Sequence, residues 1–171
     1  SALLFAGLGA SVTATYSRDE TVAASLRGEL GVAPPDGGES SGVPAHRVER
    51  CDLADHEGLR SLVARLDAEG RLPSVLVCNA AYQKKATVAE TDIDLLEATF
   101  RANLFGNYVL CREVADRLTE RGEGGVIIVN SSNQSQFVNP TGFAYALSKA
   151  SLNHMVRHLA RAYVAAGIRV N

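Results

Sequence analysis

Residues 124–149 read GGVIIVNSSNQSQFVNPTGFAYALSK. The first nine form an apolar, β-branched run that ends in two serines, the pattern of a buried strand. A polar loop containing Pro140 follows. From Tyr145 to Ala166 the period changes: Leu152, Met155, Val156, Leu159 and Tyr163 recur at helical spacing. Strand, loop and helix therefore follow one another within a short stretch. The same alternation extends in both directions. Upstream lie a long helical pattern over 91–120, the apolar strand SVLVCNA at 74–80, and an amphipathic helix over 55–69 with Leu59, Leu62, Val63 and Leu66 on one face. Before these come the strand HRVERCDL, a short helix over 19–30 and the β-branched strand SVTATY. Downstream, GIRVN begins one more strand. Strands near 12–16, 47–51, 74–79 and 125–131 alternating with helices predict an α/β fold, a doubly wound parallel sheet with helices on both faces. No internal repeat is present.

At the N-terminus, Gly7-x-Gly9 is reminiscent of a phosphate-binding turn. That turn needs a preceding strand, a third glycine and a following helix. Position 12 is Val, and a strand follows. Gly7 or Gly9 reads better as a helix C-cap.

A chain of 171 residues fits one domain with a substantial core. Its 46% apolar and 21% charged content is that of an ordinary globular protein. A net charge of −2 argues against a nucleic-acid or anionic-membrane surface. No apolar run approaches the roughly 18–20 residues of a membrane span, and no basic segment marks a signal peptide. Cys51, Cys78 and Cys111 are far apart and lack a Cys-x-x-Cys, so they read as buried thiols of a cytoplasmic protein with no metal site. GVAPPDGGESSGVPAH, residues 31–46, reads as a solvated connector.

Tyr145 and Lys149 are four apart on a helix and share a face. In a chain with 5 Tyr the pair alone is a weak signal. It gains weight from Ser131 and Ser132 at the end of a buried strand, because ligands of open α/β sheets bind at strand C-termini. A free phenol, pKa about 10, is a poor base at neutral pH. A fixed ammonium about 4 Å away favours the phenolate. Asn103 falls on the apolar face of its helix with Leu96 and Phe100, where a buried amide needs partners. Asp52 reads equally as the N-cap of the 55–69 helix or as a ligand contact.

Taken in order, these stretches resemble the short-chain dehydrogenase/reductase family. GASVTATYSR is similar to its second strand, CDL to the acidic end of its third, and VCNAA to its Asn-Asn-Ala-Gly segment. RANLFG resembles its Asn-containing helix, GGVIIVNSS its serine strand, YALSK its Tyr-x-x-x-Lys, and GIRVN a later strand. The resemblance implies a Rossmann-like dinucleotide-binding domain over 1–171, incomplete at both ends: the glycine-rich turn is expected before Ser1 and further elements after Asn171. It also implies hydride transfer between NAD(P) and a small-molecule carbonyl or alcohol. Tyr145 is then the acid/base, Lys149 its partner, Ser132 the donor to the substrate oxygen, and Asn103 the fourth member, holding a water that links the lysine to solvent. Arg18, Asp52, Leu53, Asn79, Ala80, Tyr145 and Lys149 are the implied cofactor contacts. Tyr16 and Ser17 stand where an NAD-selecting acid is usual, and Arg18 can pair with a 2′-phosphate, so NADP is favoured over NAD. Two departures are Cys78 and Ala81 in the Asn-Asn-Ala-Gly segment. Leu104, Phe105, Tyr108 and Val109 span more than one helix face. In the family such helices pack on a second subunit, which implies a homodimer or homotetramer. Two alternatives stay open: a sugar-nucleotide epimerase or dehydratase, which shares Tyr-x-x-x-Lys, and a non-catalytic fragment that keeps the association surface without binding a dinucleotide.

Overall fold

Carboxylates and glycines set where the elements begin and end. The computed structural model describes residues 2–32 and 46–171. They form two compact units, Ser1–Asp52 and Leu53–Asn171.

In the first unit, helix α1 (Ala2–Gly7) gives way to strand β1 (Thr13–Tyr16). Gly9 makes the turn between them at φ +84, a conformation open to a residue without Cβ. The Gly7-x-Gly9 stretch thus ends a helix, as its sequence predicts. Helix α2 (Glu20–Leu30) starts at Asp19, whose carboxylate accepts from the Thr21 and Val22 amides, and stops at Gly31 in the left-handed region. β1 pairs in parallel with β2 (Arg47–Arg50), Thr13 opposite Arg47. Most of the predicted connector, residues 33–45, lies outside the described residues.

The second unit contains α3 (His56–Ala68), β3 (Val75–Cys78), α4 (Ile93–Phe100), α5 (Asn107–Glu120), β4 (Gly125–Val129), α6 (Phe143–Tyr163) and β5 (Ile168–Val170). Its parallel sheet has the order β3-β4-β5, with Cys78 opposite Val129 and Ile127 opposite Val170. Cys78, Ile127, Val129, Ile168 and Val170 face one way and pack on Cys111, Val114 and Leu118 of α5 and on Leu152 and Leu159 of α6.

Three features differ from the sequence reading. The apolar strands predict burial on both faces, but Val75, Val77 and Ile128 on the opposite face are 43%, 37% and 40% exposed. Composition reports what a strand can bury, and the covering element has to be supplied elsewhere in the fold. The predicted helix over 91–120 is interrupted at Arg101–Gly106 by a π-helical segment, which a 3.6-residue period does not reveal. The cap of α3 is Asp55, whose carboxylate accepts from the Gly58 amide, so the N-cap reading of Asp52 is corrected. Asp52 lies three residues too early to reach that turn. Among the described residues no helix is long and apolar enough to cross a membrane.

Candidate active site

Strand ends and the first turns of α6 bring the polar residues of the second unit together. β3 ends at Cys78 and hands over to Asn79 and Ala80, both exposed. β4 ends at Val129 and hands over to Asn130, Ser131 and Ser132. The Asn130 carboxamide donates to Asn79 Oδ1 at 3.1 Å, tying the two strand ends side by side. α6 begins at Phe143, two residues before Tyr145. It therefore carries Tyr145 in its first turn and Lys149 one turn later.

Lys149 is the most unusual residue here. It is only 2% exposed, and its Nζ donates to the Asn130 carbonyl at 2.6 Å. The ammonium lies 5.6 Å from the centre of the half-buried Tyr145 ring. Burial lowers the Lys149 pKa below the ordinary lysine value. An ammonium has three donors, and a single protein acceptor uses one of them. Ser131 Oγ donates to the Lys149 carbonyl at 3.3 Å. Ser132 Oγ accepts from the Gln134 amide at 3.2 Å, capping a 3₁₀ turn over Asn133–Ser135.

Asn103 is fully buried. Its Oδ1 accepts from the Tyr82 amide at 2.6 Å. Its Nδ2 donates to the Tyr82 carbonyl at 2.8 Å and to Ser148 Oγ at 3.0 Å. Ser148 Oγ in turn donates to the Tyr145 carbonyl at 2.7 Å. One amide thereby links the π segment, the chain after β3 and the first turn of α6. The Asn103 carbonyl accepts from Asn107 Nδ2 at 2.6 Å. Asn107 is 1% exposed, and its buried Oδ1 has no hydrogen-bond partner among the described residues. Ser148 and Asn107 escape the sequence reading. The available signal was spacing: Asn107 is four residues beyond Asn103, and Ser148 sits in a tyrosine-bearing helical turn next to Lys149.

Cys78 and Cys111 lie beneath this group, Sγ to Sγ 3.8 Å, both reduced. Contact with Cys78, and then burial, push the Cys111 thiol well above its ordinary pKa. It stays protonated and behaves as an apolar filler.

Two predicted contacts fall in the first unit. Arg18, just past β1, and Asp52, just past β2, form an ion pair at 3.9 Å, with the Arg18 side chain 82% exposed. Leu53 begins the second unit, half-buried, its carbonyl against Gly106. Phe137, Pro140 and Phe143 form an apolar wall around a depression of about 310 Å³ that also takes in Val88 and Leu147. Ser132, Tyr145 and Lys149 are outside its lining.

A parallel sheet with polar residues gathered at its strand C-termini is the arrangement of a nucleotide-binding α/β protein. The chain belongs to the short-chain dehydrogenase/reductase family: residues 1–171 match the family model described as enoyl-(acyl carrier protein) reductase. It is 36% identical to glucose 1-dehydrogenase of Gluconobacter oxydans (strain 621H) over 171 residues, 99% of this chain and 60% of that protein. Among solved structures it is similar to acetoin dehydrogenase from Enterobacter cloacae, with a TM-score of 0.84 and 25% identity over 99% of this chain and 66% of that one. It is also similar to a gluconate 5-dehydrogenase from Burkholderia cenocepacia J2315 in complex with NADP and tartrate, with a TM-score of 0.81 and 26% identity over 99% of this chain and 62% of that one. The chain thus spans about three fifths of the length of the curated relative.

Proposed function

We propose that the full-length protein is an NAD(P)-dependent oxidoreductase that interconverts a small-molecule carbonyl and its alcohol, with Tyr145 as the acid/base. The observation that carries this is the buried ammonium of Lys149, held between the Asn130 carbonyl and the Tyr145 ring at the C-terminal ends of two parallel strands. Burying a charge is costly, and a site that retains one uses it.

Tyr145 gives its proton to the carbonyl oxygen in reduction and takes it back in oxidation. Ser132 donates to the same oxygen as negative charge develops there. Lys149, through its remaining donors, holds the phenolate and a ribose hydroxyl. Asn103 is a positioning residue, acting through Ser148 on the turn that carries Tyr145. When bound, the nicotinamide supplies or accepts the hydride. Within the second unit, Leu53 with Asn79 and Ala80 at the end of β3 would hold the adenosine half. The exposed Arg18 guanidinium favours the 2′-phosphate of NADP.

Steady-state kinetics beside cofactor titration test this reading. Tyr145→Phe keeps the ring and removes the proton donor, so turnover falls by about 10²–10⁴-fold while cofactor affinity stays near wild type. Near-normal turnover in that variant would make Tyr145 an ordinary helix residue. Arg18→Ala raises KM for NADP more than for NAD. Equal effects on both would remove Arg18 from coenzyme choice.

A further inference from the structure

Four exposed basic side chains line an outward stretch of α6: His154, Arg157, His158 and Arg161. The two histidines are one helical turn apart. Their Nε2 atoms face each other at 3.2 Å, with the rings edge-to-face and centroids 4.8 Å apart. In the neutral pair one ring's Nε2–H donates to the other's Nε2, and the same spacing suits a cation held by both nitrogens. Two nitrogens at about 2.0–2.1 Å from a tetrahedral ion lie about 3.3 Å apart, close to the distance seen. Histidines at i and i+4 on a helix are also the spacing by which paired imidazoles take one ion.

We propose that His154 and His158 form a two-imidazole site for a borderline divalent transition ion, Zn²⁺ or Cu²⁺, with water in the remaining positions. Imidazole selects this class, whereas Mg²⁺ and Ca²⁺ require oxygen ligands, and no carboxylate lines the stretch. Among the described residues no group of three or more metal-ligating side chains exists, so the chain supplies two ligands here. Arg157 and Arg161 place positive charge beside the ion and keep its binding weak. They also give the site a signature opposite in sign to that of an anion site, which the same four side chains would otherwise suggest. The pair lies nine and thirteen residues beyond Tyr145 on the helix, and the proposal does not depend on the enzymatic reading.

The test is calorimetric titration of untagged full-length protein with ZnCl₂, CuCl₂, MgCl₂ and inorganic phosphate. Zn²⁺ and Cu²⁺ bind at one site per chain and Mg²⁺ gives no heat. His154→Ala and His158→Ala each weaken Zn²⁺ binding by at least tenfold, and the double variant is little worse than either single one. Arg161→Gln tightens Zn²⁺ binding severalfold. Lowering the pH to about 5 abolishes it, because ligating imidazoles must be neutral. Both histidines are exposed, so the variants stay folded, which circular dichroism checks. Unchanged Zn²⁺ affinity in either histidine variant overturns the proposal. Phosphate binding that Arg161→Gln weakens, without Zn²⁺ binding, assigns the stretch to an anion and overturns it equally.

Discussion

Lys149 shows how far single residues were legible. Its spacing from Tyr145 and from Ser132 was plain in the sequence, because helix geometry and strand order translate directly into proximity. Its burial was not, since that depends on the tertiary packing around α6. Burial has a measurable consequence. A lysine whose folded pKa lies below its unfolded value leaves the unfolded state holding the extra proton between the two values. Stability therefore rises with pH across that window, up to about the ordinary lysine pKa of 10.4. Lys149→Met lacks this proton linkage. Denaturant unfolding at pH 7 and pH 10 should show the difference moving in favour of the wild type at the higher pH; a pH-independent difference would mean the ammonium is not desolvated. Lys149→Ala in the full-length protein lowers turnover and cofactor affinity together, whereas Ser132→Ala lowers turnover chiefly. Asn107 and Ser148 stayed hidden for the opposite reason. A lone Asn or Ser on a helix has many ordinary explanations, and only tertiary contacts identify it as a partner of Asn103.

At the level of elements, the alternation of periods specified the strands and helices with small boundary errors. α6 starts at Phe143 rather than Tyr145, and α3 is capped by Asp55. The π segment was illegible as such, yet it left a trace. Thr99 and Leu118 are both buried, but they are nineteen residues apart, and an uninterrupted helix would turn them about 100° away from each other. The π segment absorbs one residue and brings them into line. Part of the spread of apolar residues around this helix is therefore a phase shift and not a second buried face. Gly106 closes the segment against the Leu53 carbonyl, where a Cβ would overlap the oxygen. Gly106→Ala should cost about 1–3 kcal/mol, read as a fall of several degrees in Tm. An unchanged Tm would show that the Leu53 carbonyl moves aside freely.

For the whole molecule, the parallel, doubly wound character was readable because apolar runs and amphipathic helices alternate throughout. The pairing of β1 with β2 and the order β3-β4-β5 were not, since strand pairing is a long-range choice. Phe105, Tyr108 and Leu147 remain 49%, 40% and 40% exposed on the π segment, α5 and α6, after the phase shift has been allowed for. The proposal of a homodimer or homotetramer through these helices rests on them. Light scattering of the full-length protein at micromolar concentration should report at least twice the monomer mass, and Tyr108→Glu with Leu147→Glu should reduce it. A strict monomer in the wild type removes the proposal.

The inserted residue of the π segment also has a genetic meaning. Loss of one codon between 101 and 106 would leave Thr99 and Leu118 eighteen residues apart, about five whole turns of regular helix. α4 and α5 would then keep their core-facing sides. The contact of the Asn107 amide with the Asn103 carbonyl is made across this segment and would be disturbed. Such a deletion is a natural separation-of-function allele: a protein that accumulates and folds, with the network beneath Tyr145 undone. Insertions and deletions in a helix usually abolish folding and function together, and this segment is the place in the chain where a mutational screen should find them parted.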